Sequence, residues 1–387
     1  MRIAIVHSRF SYVGGAEKYI YFLVHRLLKD GHQIHYFCHY KEPFRHPLFH
    51  YHYIPMVKGI RFLKALSFAF ATEMKVNQGD YDIVHGFYKT FRQDIYTDGS
   101  GLVELYQNYV LSQKQGLQRL LRKYSLYYQA DKLLERLRFT PGNYRKVLCM
   151  SEMVKKQLQQ EYHIPDNRIT VLYNGIDCEF FHPRNKKKYG PSLRKELGIH
   201  EGEVLFTLIG NDYIRKNVIT ALKAFRELPR GKRGRLLVVG KDRRQKQYEE
   251  MAKKWGLEKE VIFLGPRRDI ERIHSITDVF LLVSHYDVFG MVVLEAMATG
   301  VPCIVSSLAG ASEIIQPGRN GWILEDPGSF QELAEKMSYF LSLSSKEKED
   351  MDTMAREKAL ELDWQAHYSQ LLAYYREIQE EKIKEGI

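Results

Sequence analysis

The chain opens with a short apolar run, a glycine-containing turn and an amphipathic segment. Residues 2–6 are apolar and rich in β-branched side chains, which predicts a buried strand. After the turn, apolar side chains recur three and four positions apart and predict a helix face at Ile20, Leu23, Val24, Leu27 and Leu28. Gly31 ends that helix, and residues 33–37 predict the next strand. This order predicts a βαβ unit with a buried parallel sheet.

Strands and helices alternate again after residue 203, with predicted strands at 204–209, 235–240, 261–265, 279–283 and 302–305. We therefore predict an α/β protein with two Rossmann-like, doubly wound domains that face a cleft. Pro183, Gly190, Pro191 and three consecutive lysines lie between the two series, a composition that is typical of an exposed linker. The predicted divisions are a domain at 1–180, a linker at 181–200, a domain at 201–362 and a C-terminal helix at 363–387.

The turn at residues 210–217 follows the carboxyl end of a predicted strand, where doubly wound sheets bind their ligands. It contains Arg215 and Lys216 at the start of a helix. Two cations and backbone N–H groups suit a diphosphate, although a solvated basic turn has the same composition. The turn lacks the glycine patterns of dinucleotide enzymes and P-loops, which argues against NAD binding and ATP hydrolysis.

A second turn combines two carboxylates with a glycine. Asp287 precedes a predicted helix, Gly290 stands at its start, and Glu295 lies roughly a turn and a half inside it. The two carboxylates can address two parts of one extended ligand, with the N–H groups of 289–291 facing a phosphate between them. Because the helix is apolar nearly all round, an unpartnered Glu295 would be costly there. A role toward a ligand is therefore favoured over a surface position.

Composition excludes several other classes of protein. The 387 residues are 44% hydrophobic and 27% charged, which argues against a disordered, collagenous or disulfide-rich chain. No apolar run reaches the roughly 18–20 residues of a membrane span, and the first apolar stretch turns polar too early for a signal peptide. The four cysteines are widely spaced. We expect a cytoplasmic protein with reduced thiols.

The net charge of +11 lies mostly in the first half. Residues 1–180 contain 25 Lys and Arg against 16 Asp and Glu, a net charge of +9. Aromatic and cationic side chains mix over 58–76 and 102–146, which favours contact with an anionic membrane surface. Core packing explains most of the apolar positions, and a basic surface that aids solubility is the plainest alternative. Nucleic acid ranks lower because no nucleic-acid module accompanies these side chains.

Two patterns that look like metal sites have simpler explanations. Asp80 and Asp82 form a D-x-D sequence beside an apolar strand, where polar turn residues are expected. His46, His50 and His52 lack the spacing of helical metal ligands. We predict no metal site and no resident cofactor.

The second turn resembles the signature of the retaining glycosyltransferases of family 4, which have the GT-B fold. In that signature seven residues separate two Glu, and here Asp287 takes the first position and Glu295 the second. Gly14 and Gly15 resemble the family's opening glycine loop. The stretches most similar to the lipopolysaccharide core glucosyltransferases of this family are 86–89, 94–96 and 210–216. The resemblance implies an acceptor-binding first domain, a nucleotide-sugar-binding second domain and a C-terminal helix that crosses back to the first.

The resemblance also implies a role for each site residue. Glu295 would bind the nucleotide ribose, and Arg215 and Lys216 the diphosphate. Asp287 would hold the donor sugar and the distal phosphate, together with the backbone amides of Phe289, Gly290 and Met291.

The other implied contacts lie outside these two turns. Arg267 would border the base, and Gly14 and Gly15 would contact the donor. Asp98 stands where the family often has a polar pair beside the reacting sugar. The catalytic residues would then be Asp98, Asp287 and Lys216, with no nucleophile, because retention in this family is thought to follow a front-face route.

We therefore expect a retaining, metal-independent enzyme that transfers a hexose, glucose by the resemblance, from a UDP-sugar to a cell-envelope saccharide such as lipopolysaccharide inner core. It would work at the inner face of the cell membrane, with anionic lipid and a glycolipid or oligosaccharide acceptor as partners and no nucleic acid. One alternative is a family member that acts on another polysaccharide or a soluble acceptor. Another is a non-catalytic protein that binds nucleotide sugars at a membrane, because Asp287 replaces the family's Glu.

Overall fold

A computed structural model describes residues 1–11, 15–57, 59–112, 115–231 and 234–386, with the side chains of residues 61 and 112 left out. Its contacts divide the chain into two compact units. Unit 1 comprises residues 1–173 and 368–387, and unit 2 comprises residues 174–367. Gly14, predicted at the donor, and Lys58 and Lys114, part of the predicted membrane-facing cations, lie outside the described residues.

Unit 1 is built on a seven-stranded parallel sheet. The strands of unit 1, of which β2 and β4 lie outside this sheet, are β1 (Arg2–Val6), β2 (Arg9–Phe10), β3 (Gln33–Cys38), β4 (Tyr40–Lys41), β5 (Phe49–Tyr53), β6 (Ile83–Gly86), β7 (Ile95–Asp98), β8 (Lys146–Cys149) and β9 (Ile169–Val171). Its first helices are α1 (Gly15–Lys29), α2 (Arg61–Val76), α3 (Val103–Ser112), α4 (Gly116–Lys123), α5 (Leu126–Arg138) and α6 (Glu152–Tyr162). The strand order is β5-β3-β1-β6-β7-β8-β9, and β2 pairs with β4 outside this sheet.

The predicted βαβ opening of the chain is confirmed. Strands β1 and β3 pair in parallel, with Ile3 opposite Ile34. Helix α1 buries the apolar face read from the sequence, formed by Ile20, Leu23, Val24, Leu27 and Leu28. Gly31 follows the helix at φ +80°, a left-handed conformation that glycine adopts without a Cβ clash.

Unit 2 contains a six-stranded parallel sheet in the order β12-β11-β10-β13-β14-β15. The strands are β10 (Leu205–Ile209), β11 (Arg235–Val239), β12 (Val261–Gly265), β13 (Val279–Leu282), β14 (Cys303–Ser306) and β15 (Gly321–Leu324). The helices are α7 (Arg184–Glu196), α8 (Val218–Glu227), α9 (Gln245–Lys254), α10 (Ile270–Ile276), α11 (Met291–Ala298), α12 (Phe330–Ser342) and α13 (Ser345–Leu360). The predicted alternation of strands and helices is confirmed, and the strand order is that of a Rossmann sheet.

The prediction of an exposed linker over 181–200 is wrong, because helix α7 occupies most of this segment and belongs to unit 2. Gly190 and Pro191, which are part of the predicted linker, lie inside the helix. Two basic side chains of this helix form ion pairs with carboxylates of unit 2. Lys186 Nζ lies 2.6 Å from Asp352 Oδ2, and Arg194 Nη2 lies 3.1 Å from Asp278 Oδ2.

The C-terminal helix, α14 (Trp364–Glu385), belongs to unit 1 from Tyr368 onward, as the predicted return of the chain requires. Tyr375 Oη lies 2.7 Å from His85 Nδ1 on β6, and Gln379 Nε2 donates to Asp82 Oδ1 at 2.9 Å. Asp82 therefore has a structural partner. Across the described residues, no three His, Cys, Asp or Glu side chains are grouped to hold a metal. No helix in this part of the chain combines the length and hydropathy needed to cross a bilayer.

Candidate active site

The candidate site of unit 2 lies where the strand order of its sheet reverses. Strands β10 and β13 are parallel neighbours at the centre of the sheet, although β11 and β12 separate them in sequence. The chain leaves β10 and β13 in opposite directions across the sheet, so the loops that follow them border a crevice. These loops are residues 210–217 and 283–290, the two turns singled out in the sequence.

The loop after β10 has an unusual backbone and a close packing contact. Asp212 and Asn217 have φ angles of +61° and +55°, in the left-handed region that side chains other than glycine seldom adopt. Gly210 lies under the side chain of Lys216, since a Cβ built on Gly210 would stand 2.6 Å from Lys216 Cε. The loop thus directs the aliphatic part of Lys216 across the end of β10.

Buried hydrogen bonds hold this loop in place. Tyr213 is fully buried, its N–H donates to Asp242 Oδ2 at 2.8 Å, and its hydroxyl donates to the Gly240 carbonyl at 3.2 Å. Asn217 Nδ2 donates to the Pro327 carbonyl at 2.5 Å. These bonds fix the backbone on both sides of Arg215, which favours a preorganised site.

Arg215, Lys216 and Asp287 meet in one charged cluster. Lys216 Nζ lies 2.6 Å and Arg215 Nη1 lies 3.1 Å from the same oxygen, Asp287 Oδ2. Burial raises the pKa of the Asp287 carboxyl, but Lys216 and Arg215 outweigh burial and hold that pKa below its usual range. Burial lowers the pKa of the Lys216 ammonium, and Asp287 offsets only part of that effect. With all three groups charged, the cluster keeps one net positive charge and can bind a further anion.

The backbone around Asp287 is held by the next loop of unit 2. The Asp287 N–H donates to the Leu308 carbonyl at 3.2 Å, and the Gly310 N–H donates to the Asp287 carbonyl at 3.0 Å. Gly290 precedes helix α11 at φ +100°, where a Cβ would stand 2.5 Å from Leu282 Cδ2. Glycine is therefore required at this position. Helix α11 starts directly after it, and the first N–H groups of a helix attract anions.

Glu295 lies on α11 among fully buried neighbours. Val293, Leu294, Ala296 and Met297 are 0% exposed, whereas the Glu295 side chain is 13% exposed. Its carboxylate accepts no hydrogen bond from the described residues, and its Oε2 lies 3.8 Å from Nε2 of His274. A carboxylate so nearly buried and so poorly satisfied is suited to accept hydrogen bonds from a ligand.

Two family models match the two halves of the chain. The model for Glycosyltransferase Family 4 matches residues 13–180, and the model for Glycosyl transferases group 1 matches residues 191–358, so together they span most of the sequence. The chain is a family 4 glycosyltransferase. The glycosyltransferase is 28% identical over 265 residues to Lipopolysaccharide glucosyltransferase WaaG of Escherichia coli, an alignment that covers 68% of this chain and 69% of the relative.

Further comparisons support the family and the fold. The glycosyltransferase is 34% identical over 161 residues to N-acetyl-alpha-D-glucosaminyl L-malate synthase of Bacillus anthracis, covering 42% of this chain and 41% of the relative. Its structure is similar to that of WaaG, with a TM-score of 0.80, 22% identity and coverage of 95% and 98% of the two chains. It is also similar to Anabaena Alr3699/HepE in complex with UDP-glucose, with a TM-score of 0.68, 18% identity and coverage of 99% and 100%. The structural matches confirm the predicted GT-B fold.

Arg267 of the glycosyltransferase is paired outside the charged cluster. Its Nη2 lies 2.7 Å from Asp269 Oδ2 and its Nη1 lies 3.3 Å from Glu196 Oε1 on α7. The hydrogen bond with Asp269 raises the pKa of the Arg267 guanidinium, and Glu196 adds to this effect. Together they outweigh burial, which lowers that pKa. The structure therefore gives Arg267 a bond between elements of unit 2, and contact with a base stays a prediction.

The remaining predicted residues belong to unit 1. Gly15 is the exposed first residue of α1, with no atom within 4 Å of a Cβ built on it, and Gly14 lies outside the described residues. Asp98 ends β7, and its Oδ1 accepts from the N–H groups of Ser100 at 3.3 Å and Gly101 at 3.2 Å. Its Oδ2 is buried without a partner among the described residues. Burial raises the pKa of Asp98, and the N–H groups of the following turn oppose that effect.

Two side chains that support the glycosyltransferase site were not predicted from the sequence. Asp242, which anchors Tyr213, comes two residues after Gly240 at the carboxyl end of β11, so the rule that located Asp287 could have found it. His274 stands beside Glu295 but comes from a short helix of seven residues. No sequence pattern marks His274, because its proximity to Glu295 depends on how α10 packs beside α11.

Proposed function

We propose that the chain is a retaining, metal-independent glycosyltransferase that transfers glucose from UDP-glucose to a cell-envelope saccharide of the lipopolysaccharide inner-core type. The proposal rests on one observation. Where the strand order of the unit 2 sheet reverses, Arg215, Lys216 and Asp287 form a charged cluster, and Glu295 lies on the helix that follows. The names of two similar proteins support it, because one is a lipopolysaccharide glucosyltransferase and the other was solved with UDP-glucose.

In this proposal the donor diphosphate binds the two cationic side chains that are paired with Asp287 in the structure. Lys216 and Arg215 would each gain a phosphate oxygen, and the released Asp287 carboxylate would accept from a hydroxyl of the donor sugar. Two fixed cations neutralise the charge that develops on the departing diphosphate, which is the task that a divalent metal performs in other transferases. The bond from the glucose C1 to the distal phosphate breaks, and the acceptor hydroxyl forms the new C1–O bond on the same face. Its proton passes to the departing phosphate.

The side chains of α4 favour an acceptor at a membrane. This helix buries no residue, and Leu117, Leu120 and Leu121 are 70%, 55% and 65% exposed. Arg122 and Lys123 stand in its last turn. An exposed leucine face flanked by cations is typical of a helix that lies in the interface of an anionic bilayer. We propose that α4 docks on anionic lipid and brings the enzyme to a glycolipid acceptor.

Calorimetric binding of four donors tests the proposal. UDP-glucose, UDP-GlcNAc, GDP-mannose and ADP-glucose are titrated in EDTA and again with Mg²⁺. We expect UDP-glucose to bind most tightly, with an affinity that Mg²⁺ leaves unchanged within about twofold, because Lys216 and Arg215 supply the positive charge. Binding that requires Mg²⁺ would contradict metal independence, and preference for another donor would contradict the choice of UDP-glucose. Proton NMR of the first product, recorded before the anomers equilibrate, tests retention.

A further inference from the structure

His274 is a buried polar side chain that the mechanism above does not use. It lies on α10, is 0% exposed and packs edge-on against Phe280 and Phe181, at ring-centroid distances of 5.5 Å and 6.1 Å. Within the described part of the chain, neither ring nitrogen has a hydrogen-bond partner. A buried polar ring without a partner costs free energy that a phenylalanine or leucine at this place would avoid. A functional role for the imidazole would explain why a histidine stands at this position.

Glu295 is an ionisable side chain within ion-pair distance of this ring. His274 Nε2 lies 3.8 Å from Glu295 Oε2, about 1 Å beyond the length of a charge-assisted hydrogen bond. The Glu295 carboxylate has no other partner among the described residues, and the terminal torsion of a Glu side chain has a broad energy minimum. A small rotation of Glu295 therefore brings one carboxylate oxygen into contact with the ring while the other oxygen points away from it.

We propose that His274 is a positioning residue for nucleotide binding. Its Nε2–H donates to one oxygen of the Glu295 carboxylate and so fixes the direction in which the other oxygen accepts from the ribose hydroxyls. The inference rests on the proposed function, in which Glu295 binds the ribose. The aromatic walls of Phe181 and Phe280 exclude water around the ring, which strengthens the hydrogen bond. A carboxylate fixed through one oxygen presents the second in one orientation, and less entropy is lost when the ribose binds.

Two substitutions separate a hydrogen-bonding role from packing. His274→Phe fits the aromatic surroundings and removes the N–H group, whereas His274→Gln keeps an N–H donor near the position of Nε2. The probes are UDP and 2′,3′-dideoxy-UDP, which lacks the hydroxyls that Glu295 would accept from. Calorimetry gives the Kd of each probe, initial rates give kcat and KM for UDP-glucose, and thermal unfolding reports whether each variant is folded.

We expect H274F to weaken UDP binding about tenfold and to raise KM similarly, with kcat within about twofold, because an interaction made equally before and during reaction changes binding alone. H274Q should recover most of the affinity. Dideoxy-UDP should bind H274F and the unsubstituted enzyme equally. In an E295Q background, H274F should have no further effect on UDP binding, because the two residues act through one contact.

Each part of the inference can fail separately from the proposed function. If the unsubstituted enzyme binds UDP and dideoxy-UDP equally, Glu295 does not bind the ribose. That result would also contradict the donor placement in the proposed function. If the enzyme distinguishes the two probes but H274F binds UDP normally, His274 positions nothing. An equal loss of both probes in folded H274F, without recovery in H274Q, would assign His274 to packing.

Discussion

The parallel sheets of the two units reverse their strand order at equivalent places but present different chemistry there. In unit 1 the reversal lies between β1 and β6, and the polar side chain of β6 is satisfied internally. His85 lies 2.7 Å from both Thr97 Oγ1 and Tyr375 Oη, so helix α14 closes this position. In unit 2 the reversal lies between β10 and β13, and the loops after these strands bring Lys216 and Asp287 together.

The fold supplies the crevice at each of these places, and the side chains determine what can bind there. A Rossmann sheet provides a crevice at each reversal, whatever residues stand there. A charged cluster that can exchange its internal ion pairs for phosphate contacts is found at the described crevice of unit 2. Unit 1 also carries cations on the exposed helix α4, away from its sheet. The units therefore divide the proposed work into donor binding by unit 2 and contact with acceptor and membrane by unit 1.

The strongest test of the comparison is the loss of the buried lysine of unit 2. Lys216→Met keeps the aliphatic chain over Gly210 and removes the charge. We expect kcat/KM for UDP-glucose to fall about 10³-fold, since the lost cation would stabilise the departing diphosphate. Initial rates measure the effect, and calorimetry with UDP should show a loss of affinity. The matched control is Lys241→Met, an exposed lysine after β11, and an equal effect of both substitutions would contradict the assignment.

A smaller and different effect is expected from Asp98 in unit 1. Asp98→Asn keeps an oxygen to accept from Ser100 and Gly101 and removes the carboxylate charge at the unpartnered oxygen. We expect kcat to fall about 10²-fold, as for other groups that stabilise a transition state. The Kd for UDP should stay unchanged, because the nucleotide belongs to unit 2 in the proposed division. A changed Kd together with an unchanged kcat would reverse the roles of the two units.

Substitution of α4 tests the membrane part of the division. Leu121→Asp places a carboxylate on the exposed apolar face, and we expect binding to phosphatidylglycerol-containing vesicles to fall about tenfold, in line with the free energy of burying one leucine. Co-sedimentation measures the bound fraction. Leu360→Asp, at a leucine of α13 that is 48% exposed, is the matched control. Equal losses in both variants would contradict a membrane contact by α4. Equal binding of the unsubstituted enzyme to neutral vesicles would show that electrostatic attraction to anionic lipid does not contribute.

The pH dependence of stability gives a test that concerns unit 1 alone. Burial raises the pKa of Glu135 to about 7, against the hydrogen bonds from Tyr162 and the Val103 N–H. The folded chain therefore holds a proton that the unfolded chain releases above pH 4.5, and the stabilisation is lost as the pH rises through 7. The loss reaches about 3 kcal/mol by pH 8.

Glu135→Gln should lack this loss. Urea unfolding at pH 5 and pH 8 gives the difference in unfolding free energy for the unsubstituted chain and the variant. The exposed Glu161→Gln on α6 is the control and should keep the original difference. An E135Q variant with the same pH dependence as the unsubstituted chain would show that Glu135 does not titrate in the folded state.

Much of this arrangement could be predicted from the sequence, because it depends on local order along the chain. The apolar spacing of α1 predicted its buried face, and apolar runs predicted the strands of both sheets. The rule that ligands bind at the carboxyl ends of strands selected the loops that contain Lys216 and Asp287. The resemblance of Asp287 and Glu295 to a family signature led to the glycosyltransferases, and the family models confirm that assignment.

Only the tertiary structure decided which charged groups pair. It gave Lys216 and Arg215 the same carboxylate oxygen, bound Arg267 to Asp269, and turned the expected linker into helix α7. It also brought His274 to Glu295 across two helices. The physical reason is that periodicity reports which face of an element is buried, a property of neighbours in sequence. The partner of a charge depends on distances of a few ångströms between elements, and strand order and helix packing set those distances.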